Sequence, residues 1–215
     1  MMSGRKKKPT TSTRLRRSKP KTRSPNPLDR MAPSESAIIL RTLLIKHPEL
    51  QAEAEQIAVD MISKPSVENV AKEVRDAVTS LKNEGLHDRA GQHSWGYEEP
   101  TEAAREMLGE AVEDVVVDMK RRAKLGLCEA AEAICCGIVL GLHGAKAEGS
   151  EELLGWAPDF PTEEACQAVT ELIEAASPRQ RAATRARLVK KLGELVPDWN
   201  VMIARAADRA MRNRR

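Results

Sequence analysis

The sequence predicts an all-α protein, a bundle or short solenoid of antiparallel helical hairpins with eight or nine helices. Aromatic residues make up only 2% of the 215 residues, so the core must be built from Leu, Ile, Val, Met and Ala, which suits packed helices. Apolar residues recur at spacings of three and four over long stretches, the period of a helix with one buried side. Proline and glycine separate these stretches, and no fixed-period repeat is present, which weighs against a solenoid.

The stretch Leu127–Gly144 predicts the helix at the centre of the fold. Every residue of Ala133–Leu142 is apolar or glycine, and a helix that is apolar on all sides belongs inside a protein or in a membrane. This run is about half as long as a bilayer requires, which favours a buried helix. Ala133, Gly137 and Gly141 form one smooth side where a neighbouring backbone can approach closely.

Two helices are predicted at the start of the helical region. The first extends from about residue 34 to 46. The second follows Pro48, because proline is favoured at the first position of a helix, and extends to about residue 62. Both patterns predict a buried inner side. The residues assigned to these sides are Ile39, Leu40, Leu43 and Leu44 in the first helix, and Leu50, Ala54, Ile57 and Met61 in the second.

Six further helices are predicted around the central helix. A third helix begins after Ser66 and ends at Gly85, a typical residue for the position after a helix. Residues 86–99 lack periodicity and form a connection over the surface, with Trp95 or Tyr97 in a groove. A fourth helix has acids at its start and cations at its end, which matches the helix dipole, and Gly126 ends it. This fourth helix is predicted at about 101–124, and the helices after the central one at about 151–156, 162–176, 178–196 and 199 onwards.

Charge is segregated along the chain, although the formal net charge is only +3. Residues 1–30 carry 11 Lys and Arg against one acid, and residues 178–215 carry 11 against three, whereas residues 31–177 carry 13 against 28. The N-terminal segment is also rich in Pro, Ser and Thr, which predicts a disordered basic arm over residues 1–33. A single helical domain then spans 34–215, with 34–85 and 100–215 as an alternative subdivision.

The sequence contains no motif that predicts catalysis, a metal site or a cofactor. Cys128, Cys135, Cys136 and Cys166 lack the close pairing of structural zinc sites, so we interpret them as free, small apolar residues. The alternative of an active site or metal site rests on the two histidines within residues 86–99, which no nucleophile accompanies at a known spacing. No signal peptide precedes the domain, which predicts a cytoplasmic protein (nuclear in a eukaryote) without membrane contact.

The two basic ends indicate a nucleic-acid partner. Cationic segments bind phosphates by releasing counterions, and such contacts carry little sequence information. The lack of aromatic residues among the cations argues against base stacking. We therefore expect a non-catalytic binding or adaptor protein that contacts DNA or RNA mostly through phosphates. The expected contact residues are Arg5, Lys6, Lys7, Lys8, Arg14, Arg16, Arg17, Lys19, Lys21, Arg23, Arg181, Arg185, Arg205, Arg209 and Arg212.

The charge pattern also fits a helical protein–protein scaffold. In that alternative the basic ends dock on an acidic protein, or on the acidic body of the same chain. The fourth helix carries the most prominent acidic surface. Its members are Glu102, Glu106, Glu110, Glu113 and Asp114.

The segment Ser66–Leu86 resembles the helix-turn-helix of winged DNA-binding domains in its apolar and alanine positions and in its final residues. It departs from that pattern because no turn glycine lies between Val74 and Val78, and no strands are expected after it. The sequence therefore predicts one unbroken helix here rather than a DNA-reading motif.

Overall fold

A computed structural model describes residues 31–94, 96–149 and 152–212, without the side chains of Pro33 and Met61. These residues form ten α-helices, two short 3-10 helices and one small hairpin, which confirms the predicted all-α bundle. Residues 1–30 of the predicted disordered arm lie outside the described residues. The chain divides into two units between Ala52 and Glu53. The subdivision into 34–85 and 100–215 stays a prediction.

Short turns connect most of the helices, and the small hairpin lies between the fourth and fifth of them. In chain order, the described elements are α1 (Pro33–Lys46), a 3-10 helix (Pro48–Leu50), α2 (Gln51–Ser63), α3 (Val67–Thr79), α4 (Glu84–Arg89), β1 (Gly91–His93), β2 (Gly96–Glu98), α5 (Pro100–Lys124), α6 (Cys128–Glu148), α7 (Leu153–Trp156), α8 (Phe160–Ala175), α9 (Arg181–Leu195), a second 3-10 helix (Pro197–Trp199) and α10 (Asn200–Arg212).

The first unit contains α1, whose predicted buried side is wrong. Leu40 is 52% exposed, and Ile39 and Leu43 are also exposed, while Leu44 is half-buried. Proline at the helix start and a bond from the Ala32 N–H to the Glu35 carboxylate explain why the helix begins here. Apolar residues lie on the predicted side, but the described part of this unit supplies no surface that covers it.

The predicted inner side of the second helix is also wrong. Leu50 and Ile57 are exposed and Ala54 is half-buried, while the Met61 side chain is not described. The reason is the same as for the first helix, since apolar spacing identifies a side that can be buried but not the surface that would bury it.

The second unit is organised around α6, as the sequence predicts. Twelve residues of this helix are buried, and it contacts α3, α5, α8 and α9. By length and composition α6 is also apolar enough to cross a membrane, but 72% of its most apolar window is buried inside the protein. Burial among other helices accounts for its composition, since a core helix needs apolar residues on every side. The predicted cytoplasmic location stays a prediction.

The glycines of α6 allow α3 to approach it closely, which confirms the predicted smooth side. A Cβ atom added to Gly141 would lie 2.5 Å from the Ala71 carbonyl oxygen and 2.9 Å from the Val74 Cβ. One added to Gly137 would lie 2.5 Å from the Val70 Cβ. Glycine in a helix costs about 1 kcal/mol relative to alanine, so this close packing must offset the cost at two positions.

The long helix α5 ends where the sequence predicts. Leu125 is its C-cap, and Gly126 adopts a positive φ of 80°. The Gly126 N–H donates to the Ala123 carbonyl and the Leu127 N–H donates to the Arg122 carbonyl, the two bonds of a Schellman motif. This tight turn brings the chain directly into α6, which packs against α5.

Two predictions are wrong in the region between α3 and α5. The helix after Ser66 ends at Thr79 rather than at Gly85, which lies inside α4. The segment 86–99 is not a structureless loop, because β1 and β2 form an antiparallel hairpin with Gln92 opposite Tyr97. Tyr97 is exposed, and Trp95, the other residue predicted to lie in a groove, is outside the described residues. Strands of three residues are too short to show alternation, so the sequence could not reveal them.

The C-terminal helices form the layer that carries the predicted basic surface. α8 packs against α5, α6 and α10, and α9 packs against α6 and α10. The buried side of α10 is formed by Ile203, Ala206, Ala207 and Ala210, next to buried Trp199, and Met202 is exposed.

Candidate functional site

The last helix, α10, separates apolar and cationic residues onto opposite sides. Its alanines and Ile203 pack inward, which leaves room for long side chains only on the outer side. Arg205, Arg209 and Arg212 are exposed there. Their spacing of four and three residues places them on one side of a helix. These three residues are called the arginine stripe below.

The arginine stripe is not neutralised by the described chain. Within residues 31–94, 96–149 and 152–212, Arg205 and Arg209 take part in no ion pair. Arg212 donates from Nε only to the backbone carbonyl of Asp208, at 3.4 Å, in the same helix. Cations in the last turn of a helix interact favourably with its dipole, which stabilises Arg209 and Arg212 at their positions without pairing them.

Arg181 and Arg185, which the sequence assigned to the same surface, have partners inside the protein. Arg181 Nε donates to the Ile173 carbonyl at 3.0 Å, and Nη2 donates to the Ala176 carbonyl at 3.2 Å. These bonds cap the end of α8, whose last carbonyls lack helical partners. Arg185 donates to the Asp208 carboxylate from Nε at 2.8 Å and from Nη2 at 2.5 Å. Of the five arginines predicted for this surface in the C-terminal helices, two therefore bond inside the protein and three are exposed.

The predicted contact residues of the N-terminal arm lie outside the described residues. Their roles stay predictions. They are Arg5, Lys6, Lys7, Lys8, Arg14, Arg16, Arg17, Lys19, Lys21 and Arg23.

A cavity of about 250 Å³ lies beside the arginine stripe, between α8 and α10. Its lining includes Arg205, Arg209, Glu163 and Cys166. The Glu163 carboxylate accepts a bond from Arg105, so its negative charge is countered on the side of α5. Burial raises the pKa of the Cys166 thiol, although the charge of Arg209 opposes the shift. A thiol with a raised pKa is a weak nucleophile at neutral pH.

A second cavity, of about 390 Å³, lies at the start of α6. Arg187 lines it and forms an ion pair across α6 and α9 with Glu132, through Nε at 3.1 Å and Nη2 at 2.5 Å. Glu132 is only 8% exposed. A buried carboxylate requires such a partner, so the guanidinium of Arg187 has a structural role. The bond to Glu132 raises the pKa of Arg187 above its ordinary value.

A histidine–aspartate contact that the sequence did not predict joins α6 to the 3-10 helix before α10. His143 Nε2 lies 3.1 Å from both carboxylate oxygens of Asp198. The His143 ring also meets the Trp199 ring edge-on, with centroids 4.9 Å apart. The bond from His143 lowers the pKa of Asp198. The two residues are far apart in sequence, so no local pattern could have shown that they meet.

The described part of the chain also includes the cysteines that the sequence interprets as small apolar residues. No group of three His, Cys, Asp or Glu side chains there could hold a metal ion. Cys135 and Cys136 are buried, and burial raises the pKa of Cys136 to about 11. This agrees with their interpretation as small apolar residues, because the reactive form of cysteine is the thiolate.

The structure breaks the segment Ser66–Leu86 into a helix, a turn and a second helix, and a hairpin follows it. The prediction of one unbroken helix without strands is therefore wrong. The second helix, α4, has only six residues, and its Glu84 and Asp88 would oppose phosphates. Its Arg89 donates two bonds of 2.8 Å to the Glu110 carboxylate. This element does not present the cationic helix that groove reading requires.

No protein-family model, curated protein or solved structure matches this chain. The candidate site therefore rests on the geometry and charge of the described residues.

Proposed function

We propose that this chain is a non-catalytic protein that binds nucleic acid through phosphate contacts, with little sequence preference. The arginine stripe of α10 is its contact surface in the described part of the chain. The basic residues between 5 and 23 add a second cationic segment. Adaptor activity and a cytoplasmic location belong to the same proposal.

The observation that carries this proposal is the contrast between paired and unpaired arginines. Arg75 lies 3.3 Å from the Glu148 carboxylate, and Arg89 and Arg105 also pair with carboxylates. The arginine stripe, in contrast, leaves three guanidinium groups exposed on one side of a rigid helix. A row of guanidinium groups suits phosphate because each group can donate two parallel hydrogen bonds to one anion.

Binding should be measured by fluorescence anisotropy with a mixed-sequence 25-base-pair duplex, at 50 and 200 mM salt. The variant R205Q/R209Q/R212Q is expected to weaken binding at least tenfold at 50 mM salt. Each lost phosphate contact also reduces the slope of log affinity against log salt by about 0.9, so the slope should fall by about two to three. The change should be similar for a second duplex of unrelated sequence.

The control variant is K64Q/K72Q/K124Q, which removes three exposed cations that lie outside α10. It changes the net charge by the same amount. A larger loss of affinity in the arginine variant would therefore be due to the positions of the arginines rather than to the total charge. Equal losses in the two variants would show that only the total charge matters. A wild-type chain that fails to bind any duplex at 50 mM salt would overturn the proposal.

The competing function is a protein scaffold whose cations dock on an acidic protein. The same anisotropy measurement distinguishes it if poly-L-glutamate is used as a second ligand. Binding of poly-L-glutamate at 150 mM salt without any binding of the duplex would support the scaffold. The reverse result would support nucleic acid.

A further inference from the structure

We propose that α1 is a self-association surface, which pairs antiparallel with α1 of a second copy of this chain about a twofold axis. One side of α1 is formed by Ile39, Leu40, Leu43 and Leu44 and is called the apolar stripe below. Three of these side chains are exposed and the fourth is half-buried. A contiguous exposed apolar surface of this kind marks an interaction site.

The charged residues beside the apolar stripe favour a second copy as the occupant. Glu35 and Lys46 are exposed, lie at opposite ends of α1 and fall on the same edge of the stripe, because their positions differ by about three turns. An antiparallel twofold pair places Glu35 of each copy near Lys46 of the other. Parallel pairing would instead place this edge of the two copies on opposite sides of the pair, so Glu35 and Lys46 could not meet. Antiparallel helix dipoles add to the preference.

Other occupants fit this surface less well. Residues 1–30 contain only Met1, Met2, Leu15 and Leu28 as large apolar residues, among 11 Lys and Arg, so this segment lacks the apolar surface to cover the stripe. A helix that lies on an anionic membrane carries cations along its polar side. The side of α1 away from the stripe carries the exposed Ile38 and Ile45 and one cation, Arg41, rather than a row of cations.

The length of α1 limits the strength of this association. A helix of 14 residues is about 21 Å long, which gives a helix pair a contact of about three turns. Such a pair buries less than the roughly 800 Å² per partner that stable complexes bury. We therefore expect a weak and reversible dimer. The inference is independent of the proposed function, since it uses no residue of the arginine stripe.

The test is sedimentation velocity of the full chain from 1 to 200 µM. The wild type is expected to change from monomer to dimer over this range, and L40Q/L43Q is expected to remain a monomer. The control V117Q replaces an apolar residue that is 48% exposed on α5, and it should dimerise like the wild type. Thermal unfolding of each variant shows whether the rest of the fold is intact, since the replaced residues are exposed.

Charge exchange tests the antiparallel arrangement. E35K and K46E should each weaken the dimer several-fold at 50 mM salt, because each places like charges across the twofold axis. An equimolar mixture of E35K and K46E should form heterodimers more readily than either variant self-associates, because both of its contacts are then complementary. E35K also loses the bond to the Ala32 N–H, so the mixture is the decisive measurement.

Three results would overturn the proposal. The first is a wild-type monomer at 200 µM, whether or not it pellets with lipid vesicles or captures another protein. The second is a dimer that L40Q/L43Q leaves unchanged. The third is a mixture of E35K and K46E that associates no better than the separate variants, which would exclude the antiparallel pairing.

Discussion

Helices α6 and α1 are similar in composition and opposite in environment. Both are rich in apolar residues. Ile138 in the middle of α6 is fully buried, whereas Ile45 near the end of α1 is 79% exposed. Four helices of the same unit contact α6. An apolar helix therefore needs another surface to bury it. Its sequence does not show whether that surface belongs to the same chain or to another one.

The difference between the two helices lies in the surfaces that face them. On α6, two glycines match the backbone and valines of α3, so the surfaces fit at atomic distance. α1 contains no glycine and presents large, branched side chains. Side chains of this kind suit interdigitation with another set of large side chains, as in a helix pair. The three predictions that follow test this difference, in order of expected effect.

The largest effect is expected from matched truncations of the two helices. Ile138→Ala should lower the free energy of unfolding by about 3–4 kcal/mol, because it removes buried methyl groups and leaves a cavity. Ile38→Ala, at a position that is 60% exposed and outside the apolar stripe, should change it by less than about 0.5 kcal/mol. Urea unfolding at 1 µM protein measures both. Equal losses would mean that the chain itself covers α1.

The second prediction concerns the glycines that bring α3 onto α6. Gly141→Ala should destabilise by about 2–3 kcal/mol, because the new Cβ would meet the Ala71 carbonyl and neither backbone can move away easily. Gly109→Ala is the control, since a Cβ at this position in α5 would meet no atom within 4 Å. It should stabilise by about 0.5–1 kcal/mol through its higher helix propensity.

Opposite signs for these two substitutions, in the same urea experiment, would attribute the requirement for glycine to the contact with α3. A neutral or stabilising Gly141→Ala would contradict the close packing, because helix propensity alone favours alanine at both positions.

The sequence predicted those parts of the structure that depend on local patterns. Helix ends marked by Gly126, the central place of α6 and its smooth side at Gly137 and Gly141 all follow from spacing and composition. The sequence could not reveal the short hairpin, because three residues show no alternation. It also could not show whether the sides of α1 and α2 are covered, since coverage depends on another surface.

The candidate site was predictable only in part, for a related reason. The sequence identified cations near the C-terminus, but it did not show which of them have partners inside the protein. Asp208 neutralises Arg185 across 23 residues, and the end of α8 uses Arg181. Such pairings arise from the packing of α8, α9 and α10. Only the structure could therefore show which arginines bond inside the protein and which are exposed.

The smallest effect is expected at Glu164 in α8, one of the helices that cover α6. Burial raises the pKa of this carboxyl above its ordinary value of 4.5, the like charge of Glu171 adds to the shift, and Lys120 opposes it. The pKa is thus higher in the folded than in the unfolded protein. The ionised group therefore opposes folding at neutral pH, and this penalty disappears as the pH falls below the unfolded value.

Glu164→Gln should consequently raise the free energy of unfolding at pH 7, and the gain should vanish by about pH 3.5. Glu113→Gln, at an exposed position of α5, is the matched control and should change stability by less than about 0.5 kcal/mol at either pH. Urea unfolding at both pH values measures the difference. A gain at pH 7 that persists at pH 3.5 would arise from packing of the amide rather than from charge. A loss at pH 7 would mean that the carboxylate of Glu164 stabilises the cover of α6, and the interpretation of its burial would be wrong.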